Sequence, residues 1–294
     1  YEIVFGDWSS DVCSSISLLR KLNALLVLPL WSVRDQPAPH FRVLRPVGAG
    51  GKTFARYAIE TERDIRAILR KRLVNPGWGH SLDVEGTVHL YLPHVSCEED
   101  LGGVDWVKAL DPDGSLYALD PRGLGESAPE GSTGDAFFQP YGLDYMLHGH
   151  SILYGESYLG RRVYDVLRTM ELLQAEGAGQ IHLHGRGQGA LLALFAGVLH
   201  PAAGVVTLSN GPLSYRDWTR VPLLRWPAAN CLRGVLQVTD LPEVMALLGD
   251  RLRVREPWGP DMQPMPPDAV SAALAAIGLE PGTEDGGTVW MKRA

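Results

Sequence analysis

The stretch HLHGRGQGALLALFAG, His182 to Gly197, joins two apolar runs through a turn with glycine at both ends. A strand, turn and helix of the form Gly-x-nucleophile-x-Gly is how acyl-transfer chemistry presents a hydroxyl or thiol. The strained turn exposes the side chain, a histidine takes its proton, and backbone N–H groups hold the oxyanion. In Gly185-Arg186-Gly187-Gln188-Gly189 the middle position is glycine, so the turn is there without its attacking atom. Loss of such a nucleophile lowers the rate by on the order of six decades. The partners it would need are also incomplete. Glu256, ending RVRE, and Asp261, in WGPD, are the candidates for an acid loop, and both fit a solvated loop carboxylate equally well. Every histidine of the sequence lies at or before His200.

Other side chains have suitable types. His94, Ser96 and Cys97 lie together in PHVSCEED, and a cysteine beside a histidine is a catalytic couple when the two meet in space. The acidic run that follows argues for an ordinary loop cysteine, because carboxylates raise a thiol's pKa. His182 and His184 alternate on one strand and share a face, a spacing that suits a metal pair. No third ligand is near in sequence, so hydrogen-bonded packing histidines are the simpler assignment, and neither a metal nor another cofactor is expected. His148 and His150, in LHGHS, read as solvated loop residues. Two nucleotide-like strings fail on spacing: GAGGKT has Pro46 where a phosphate loop needs its first glycine, and GRGQGA has Ala190 at the third glycine position and no acidic ribose partner.

These residues need elements to hold them. TVHLYLPHV and SLYALD read as strands with VDWVKAL as a short helix between them, and PRGLGES as a turn. In ESYLGRRVYDVLRTMELLQA, Leu159, Val163, Val166, Leu167, Met170 and Leu173 recur at three- and four-residue steps, the stripe of a helix packed on a sheet. QIHLHG, GVVTLSNG and RLRVREPW continue as strands, separated by helices QGALLALFAGVLH and LPEVMALLG. PDAVSAALAAIGL closes the series as a helix and TVWMKRA as a terminal strand. Strands alternating with helices, and reading as short apolar runs, call for a parallel sheet covered on both faces. TFARYAIETERDIRAILRKRL reads as an antiparallel strand pair at its N-terminal edge, with a helix over its second half as the competing reading. In such a sheet the loops starting at His94, Pro121, Gly185, Ser209 and Glu256 share one rim, outside the carboxyl ends of the strands.

Composition sets the outer bounds. The chain has 294 residues, 45% hydrophobic and 21% charged, which is ordinary for a globular protein. Its formal charge of −7 contains no block of like charges and argues against a nucleic-acid or anionic-membrane surface, and no membrane span is expected. Cys13, Cys97 and Cys231 are too scattered for a disulfide framework or a structural zinc site. Residues 2–15 are similar to a translated sequencing-adapter read that recurs in metagenomic protein predictions, so 1–19 is taken as a non-native leader; the alternative is a poor secretory leader, with LNALLVLPLW following Arg20 and Lys21 but acidic Glu2, Asp7 and Asp11 ahead of them. Residues 20–52, rich in proline and glycine toward their end, are taken as a linker or irregular lead-in, and 53–294 as the domain.

From Thr53 to Pro264 the order of elements resembles the α/β-hydrolases, and more narrowly their acetyl xylan esterase and dienelactone-hydrolase-like branch. The residues that carry the resemblance are YALDPRGLGES, LGRRVYDVLRTMELL, IHLHGRGQGALLALFAG and TLSNGPLSYRDW. The resemblance implies a serine at Gly187, an acid after the late strand and a histidine after the final strand, and this chain departs from it at the first and third. It assigns a bracing role to Arg122 and Glu126, and oxyanion-type N–H groups to Gln188 and the turn from His94 to Cys97. With Arg186 these make a candidate binding site for a carbohydrate or ester. The expectation is a catalytically degenerate domain that binds such a ligand or packs on an upstream hydrolase domain of the same protein. The alternative is a working carboxylic-ester hydrolase whose nucleophile or base comes from an unexpected residue or from beyond the ends of the chain. The resemblance also points to a secreted or periplasmic setting.

Overall fold

The computed structural model describes residues 10–26, 36–49, 51–73, 81–82, 84–110, 115–129, 140–284 and 287–292. Its strands are β1 (Phe41–Ala49), β2 (Lys52–Glu62), β3 (Ile65–Arg72), β4 (Gly86–Leu92), β5 (Leu116–Asp120), β6 (Ala178–Arg186), β7 (Ala203–Ser209), β8 (Leu252–Arg255), β9 (Glu280–Glu284) and β10 (Gly287–Met291). They form one sheet in the order β1-β2-β3-β5-β4-β6-β7-β8-β10-β9. Strands β5, β4, β6, β7 and β8 pair in parallel, while β1, β2 and β3 add an antiparallel border at one edge and β10 and β9 another. The mostly parallel sheet and its antiparallel N-terminal edge are as the sequence led one to expect.

The helices are α1 (Ser10–Leu26), α2 (Cys97–Gly103), α3 (Asp105–Ala109), α4 (Asp144–Leu153), α5 (Tyr158–Ala175), α6 (Gln188–Leu199), α7 (Tyr215–Trp218), α8 (Leu241–Ala246) and α9 (Pro267–Ala275). Strand side chains alternate between the two faces, and the core divides by that parity. On one face Tyr91, Leu116 and Ala118 pack against Cys97, Leu101 and Val107 of α2 and α3. On the other, Leu90, Tyr117, Leu119 and Leu183 meet the stripe of α5 and the apolar helix α6. All five residues of β5 are buried, which explains why it reads as a continuous apolar run rather than an alternating one.

Three expectations are corrected. The stretch 20–52 is not wholly irregular: α1 runs through Leu26, with Leu22 and Leu26 buried in the main core, and β1 occupies much of the proline- and glycine-rich part. Pro46 disguised that strand; it sits where the β1–β2 register shifts between Leu44 and Val47, on the outer strand, which tolerates a missing N–H. His148 and His150 lie on α4 rather than in a loop. Strand β9, unforeseen, has no apolar pattern because it pairs only with β10 at the margin. Residues 1–9 of the adapter-like leader and 130–139 of the polar excursion lie outside the described residues. Among the described residues no helix is long and apolar enough to cross a membrane.

Candidate functional site

The chain runs from β4 to β5 on one side and then returns to β6 on the other side of β4, so the order reverses between β4 and β6. In open parallel sheets the crevice at such a reversal is the usual binding place. Here the turn after β4 carries His94, and the junction of β6 with α6 carries Arg186, Gly187 and Gln188. The two are pressed together. A Cβ on Gly185 would fall 2.2 Å from the Gly189 carbonyl oxygen, and one on Gly189 would fall 2.1 Å from that of Leu92, so glycine at both ends is what lets α6 start against β4.

Gly187 caps α6 with φ 56° and ψ −115°, a conformation that L side chains rarely adopt, and its N–H donates to the Ser209 carbonyl at 2.9 Å. This is the strained geometry that acyl-transfer enzymes give a nucleophile. The space above it is filled. A Cβ at Gly187 would lie 2.1 Å from His94 Nδ1 and 2.7 Å from His94 Cγ.

His94 is nearly buried and held from several sides. Its Nδ1 accepts from the Gln188 backbone N–H at 3.2 Å, and its Nε2 lies 3.2 Å from the Tyr141 hydroxyl. Its backbone N–H donates to Asp100 Oδ2 at 3.2 Å, and its carbonyl accepts from Gln188 Nε2 at 2.8 Å. The rings of Tyr141 and Trp258 meet the imidazole edge-on, with centroids 5.7 and 5.4 Å away. Because Nδ1 accepts from an amide, the ring is neutral with its proton on Nε2. Burial, and then the charge of Arg186, hold its pKa down to about 4. The N–H that would stabilise an oxyanion is therefore already occupied by this ring.

The other sequence-derived candidates fall as follows. Arg186 pairs with Asp100 at 2.7 Å and lies 5.6 Å over the Trp258 ring. Gln188 is buried, with Oε1 accepting from Asn230 at 2.9 Å and from Arg162 at 3.4 Å. Ser96 is the N-cap of α2, its hydroxyl accepting from the N–H groups of Glu98 and Glu99. Cys97 is fully buried, its N–H donating to Asp120 at 2.8 Å, and burial with the nearby Asp120 raises its thiol pKa well above the ordinary value. A thiol so placed is the opposite of an activated nucleophile. Glu256 has φ 40° and an exposed side chain, while its carbonyl accepts from Asn210 Nδ2 at 3.0 Å. Asp261 is exposed and accepts from the Gln263 N–H at 3.2 Å. On the sheet, His89 Nδ1 and His184 Nε2 are 2.9 Å apart, with His182 packed beside His89. Among the described residues no three His, Cys, Asp or Glu side chains are arranged to hold a metal ion.

Behind these turns stands a charged framework. Arg122 grips Asp165 of α5 through Nε at 2.8 Å and Nη2 at 2.6 Å, and Glu126 meets Arg70 at 3.0 Å and also Arg56. Arg162 pairs with Asp144, both almost fully buried, and donates through Nε to the Arg122 carbonyl at 2.9 Å. Sequence reasoning overlooked Tyr141, Asp144, Arg162, Asn230 and Trp258. Of these only Arg162 left a signal: it falls near the stripe of α5, where an exposed arginine would not. Next to the His94 turn opens a cleft of ≈ 520 Å³, bordered by Ser96, Glu98, Glu99, Glu126 and Tyr141.

No family profile matches the chain, and no curated protein is significantly similar to it. Solved structures do resemble it. A candidate acetyl xylan esterase from Bacteroides fragilis superposes with a TM-score of 0.60 at 13% identity, covering 93% of this chain and 75% of that one. An acetyl xylan esterase from Paenibacillus sp. R4 gives 0.51 at 14% identity, over 83% of this chain and 78% of the other. A glucuronoyl esterase from Solibacter usitatus gives 0.51 at 14% identity, over 82% and 74%. At such identities the likeness is one of fold. With its mostly parallel sheet, its helices on both faces and a tight glycine turn between β6 and α6, the chain has the α/β-hydrolase fold.

Proposed function

We propose that this chain is a catalytically silent α/β-hydrolase-fold domain, related to acetyl xylan esterases, that binds a carbohydrate or an ester without cleaving it. The observation that carries the reading is the elbow itself: Gly187 has no side chain to attack with, and the His94 ring stands where one would go. The 94 residues that follow His200 in this sequence contain no histidine to serve as a base. The cleft lined by Val95 and Ser96, which follow His94, supports a hydroxyl-rich ligand, because exposed Glu98 and Glu99 accept hydrogen bonds from hydroxyl groups and would repel an anion.

A second reading, packing on an upstream hydrolase domain, is favoured by α4. Its end presents Leu153, 81% exposed, and Tyr154, 82% exposed, with Tyr145 on the same helix.

Hydrolysis of p-nitrophenyl acetate by the purified chain tests the silence. Wild type and Gly187→Ser should both match a heat-killed control, and a fluorophosphonate probe should leave no adduct on wild type. Turnover or a covalent adduct in wild type overturns the proposal. Calorimetric titration with acetylated xylo-oligosaccharides should give saturable binding that weakens in Glu99→Lys; its absence removes the ligand and leaves the packing reading.

A further inference from the structure

We propose that the His94 side chain is an acid-operated stopper of the elbow: neutral, it fills the volume over Gly187 and caps the Gln188 N–H; protonated, it is driven off both. The inference rests on the elbow being vacant of a nucleophile, as argued above. Its geometry is specific. Nδ1 faces an amide N–H at 3.2 Å, so a proton added there sets two donors against each other across the contact that holds the ring in place.

Among the described residues no neighbouring group offsets the new charge. At the end of β6, Arg186 presents a second cation. On α2, Asp100 already accepts from Arg186, from the Tyr91 hydroxyl and from the His94 backbone N–H. From α6 comes Gln188, which is neutral. From the segment before α4 comes Tyr141, whose phenol pKa is pushed up to about 12 by burial and then by Asp144, so it too stays neutral; Asp144 itself is bound to Arg162. The loop after β8 contributes Trp258 and, beyond Tyr141, Met262, while Asp261 of that loop is turned to solvent. Burial beside Arg186 keeps the imidazole uncharged until about pH 4, so the closed form holds at neutral pH.

Open space begins one residue along the turn and across Tyr141. Val95 and Ser96, which continue the turn from His94, line the ≈ 520 Å³ cleft, as does Tyr141 against the ring's edge. Withdrawal toward that cleft uncovers the Gln188 N–H at the head of α6. The elbow would thus be closed at neutral pH and open in acid.

The test uses the full chain labelled with 15N. The Gln188 backbone amide and the His94 ring nitrogens are followed by NMR from pH 7 to pH 3, with far-UV circular dichroism on the same samples. His94→Gln keeps an acceptor and abolishes titration; His94→Phe keeps a ring and abolishes the acceptor. In wild type the Gln188 amide should shift and lose about tenfold or more of its exchange protection with the same midpoint as the His94 ring. In His94→Gln it should stay protected throughout, and in His94→Phe it should be unprotected at every pH. The stopper is overturned if the amide stays unmoved while His94 titrates, if either variant repeats the wild-type transition, or if wild type and variants unfold together before His94 takes up its proton. Ester hydrolysis is not read in this experiment, so wild-type turnover would remove the proposed function and leave the stopper standing.

Discussion

Gly187→Ala isolates the conflict at the elbow, because it adds one carbon and no chemistry. That carbon would sit 2.1 Å from His94 Nδ1, far inside the roughly 3.5–4.0 Å at which heavy atoms pack. The ring cannot slide aside without losing the Gln188 N–H, since Tyr141 and Trp258 stand against its edges. Holding a residue with a side chain at φ 56° and ψ −115° costs about 1–3 kcal/mol, as for other sparsely populated backbone conformations. Leaving the Gln188 N–H without its partner costs about 1–3 kcal/mol more. Gly187→Ala should therefore destabilise the chain by about 2–6 kcal/mol. In a His94→Ala background the ring is gone, the Cβ of residue 94 at 3.0 Å has to give by only a few tenths of an ångström, and the backbone portion, about 1–3 kcal/mol, should dominate. The coupling between the two sites is then about 1–3 kcal/mol, read from urea midpoints of the four proteins at constant m-value. A Gly187→Ala loss below about 0.5 kcal/mol, or simple additivity with His94→Ala, would refute the account of the filled elbow.

Further outcomes follow from the buried groups. His94, with a pKa of about 4, and His184, held at about 3 by burial and then by His89, His182 and Arg255, are neutral in the fold and titrate near 6.5 when unfolded. The unfolded chain therefore binds protons first: stability is complete above about pH 6.5 and falls as pH drops toward 4, by about 2 kcal/mol per histidine between pH 7 and 5. Urea melts across that range measure it, and a flat profile contradicts it. Arg162→Ala strands the buried Asp144 carboxylate and should destabilise by about 3–5 kcal/mol, whereas Arg162→Met with Asp144→Leu should lose much less. Equal losses in the single and double variants would show that the pair is not the cause. Cys97 should resist a thiol reagent in native buffer and react in urea, while the partly exposed Cys231 reacts in both. Peptide mapping distinguishes them, and rapid native labelling of Cys97 would reopen the Cys–His couple.

Much of the sheet was legible because strands buried on both faces read as largely apolar runs, as in β5 and β7, and because the glycines around Gly187 mark a strand meeting a helix. Glycine at position 187 could be read directly, since it is a matter of residue type. What stands over it could not. Spacing puts His94 at the end of β4 but says nothing of its side-chain rotamer, and the partners that fix it, Tyr141 and Trp258, arrive from turns far along the chain. Ser96 shows a different failure. Serine followed three residues later by Glu99 is a helix-start pattern, so its capping role was available in the sequence and was obscured by the neighbouring cysteine. Strand β1 was hidden by Pro46, and the buried charges of Asp144 and Arg162 become intelligible only as a pair.

One contact at the N-terminal side bears on how much of this polypeptide is needed to fold. Any carbon added to Gly160 would come within 1.8 Å of the Leu26 carbonyl oxygen, so the end of α1 rests directly on the main chain of α5. Chopping the protein back to Thr53, where composition suggests a natural start, would strip away that support together with β1. It would bare the greasy patch that Leu22 and Leu26 shield and leave the ragged side of β2 free to zip onto another molecule. A shortened version should come out of cells clumped, whereas one that keeps the first helix should stay in solution.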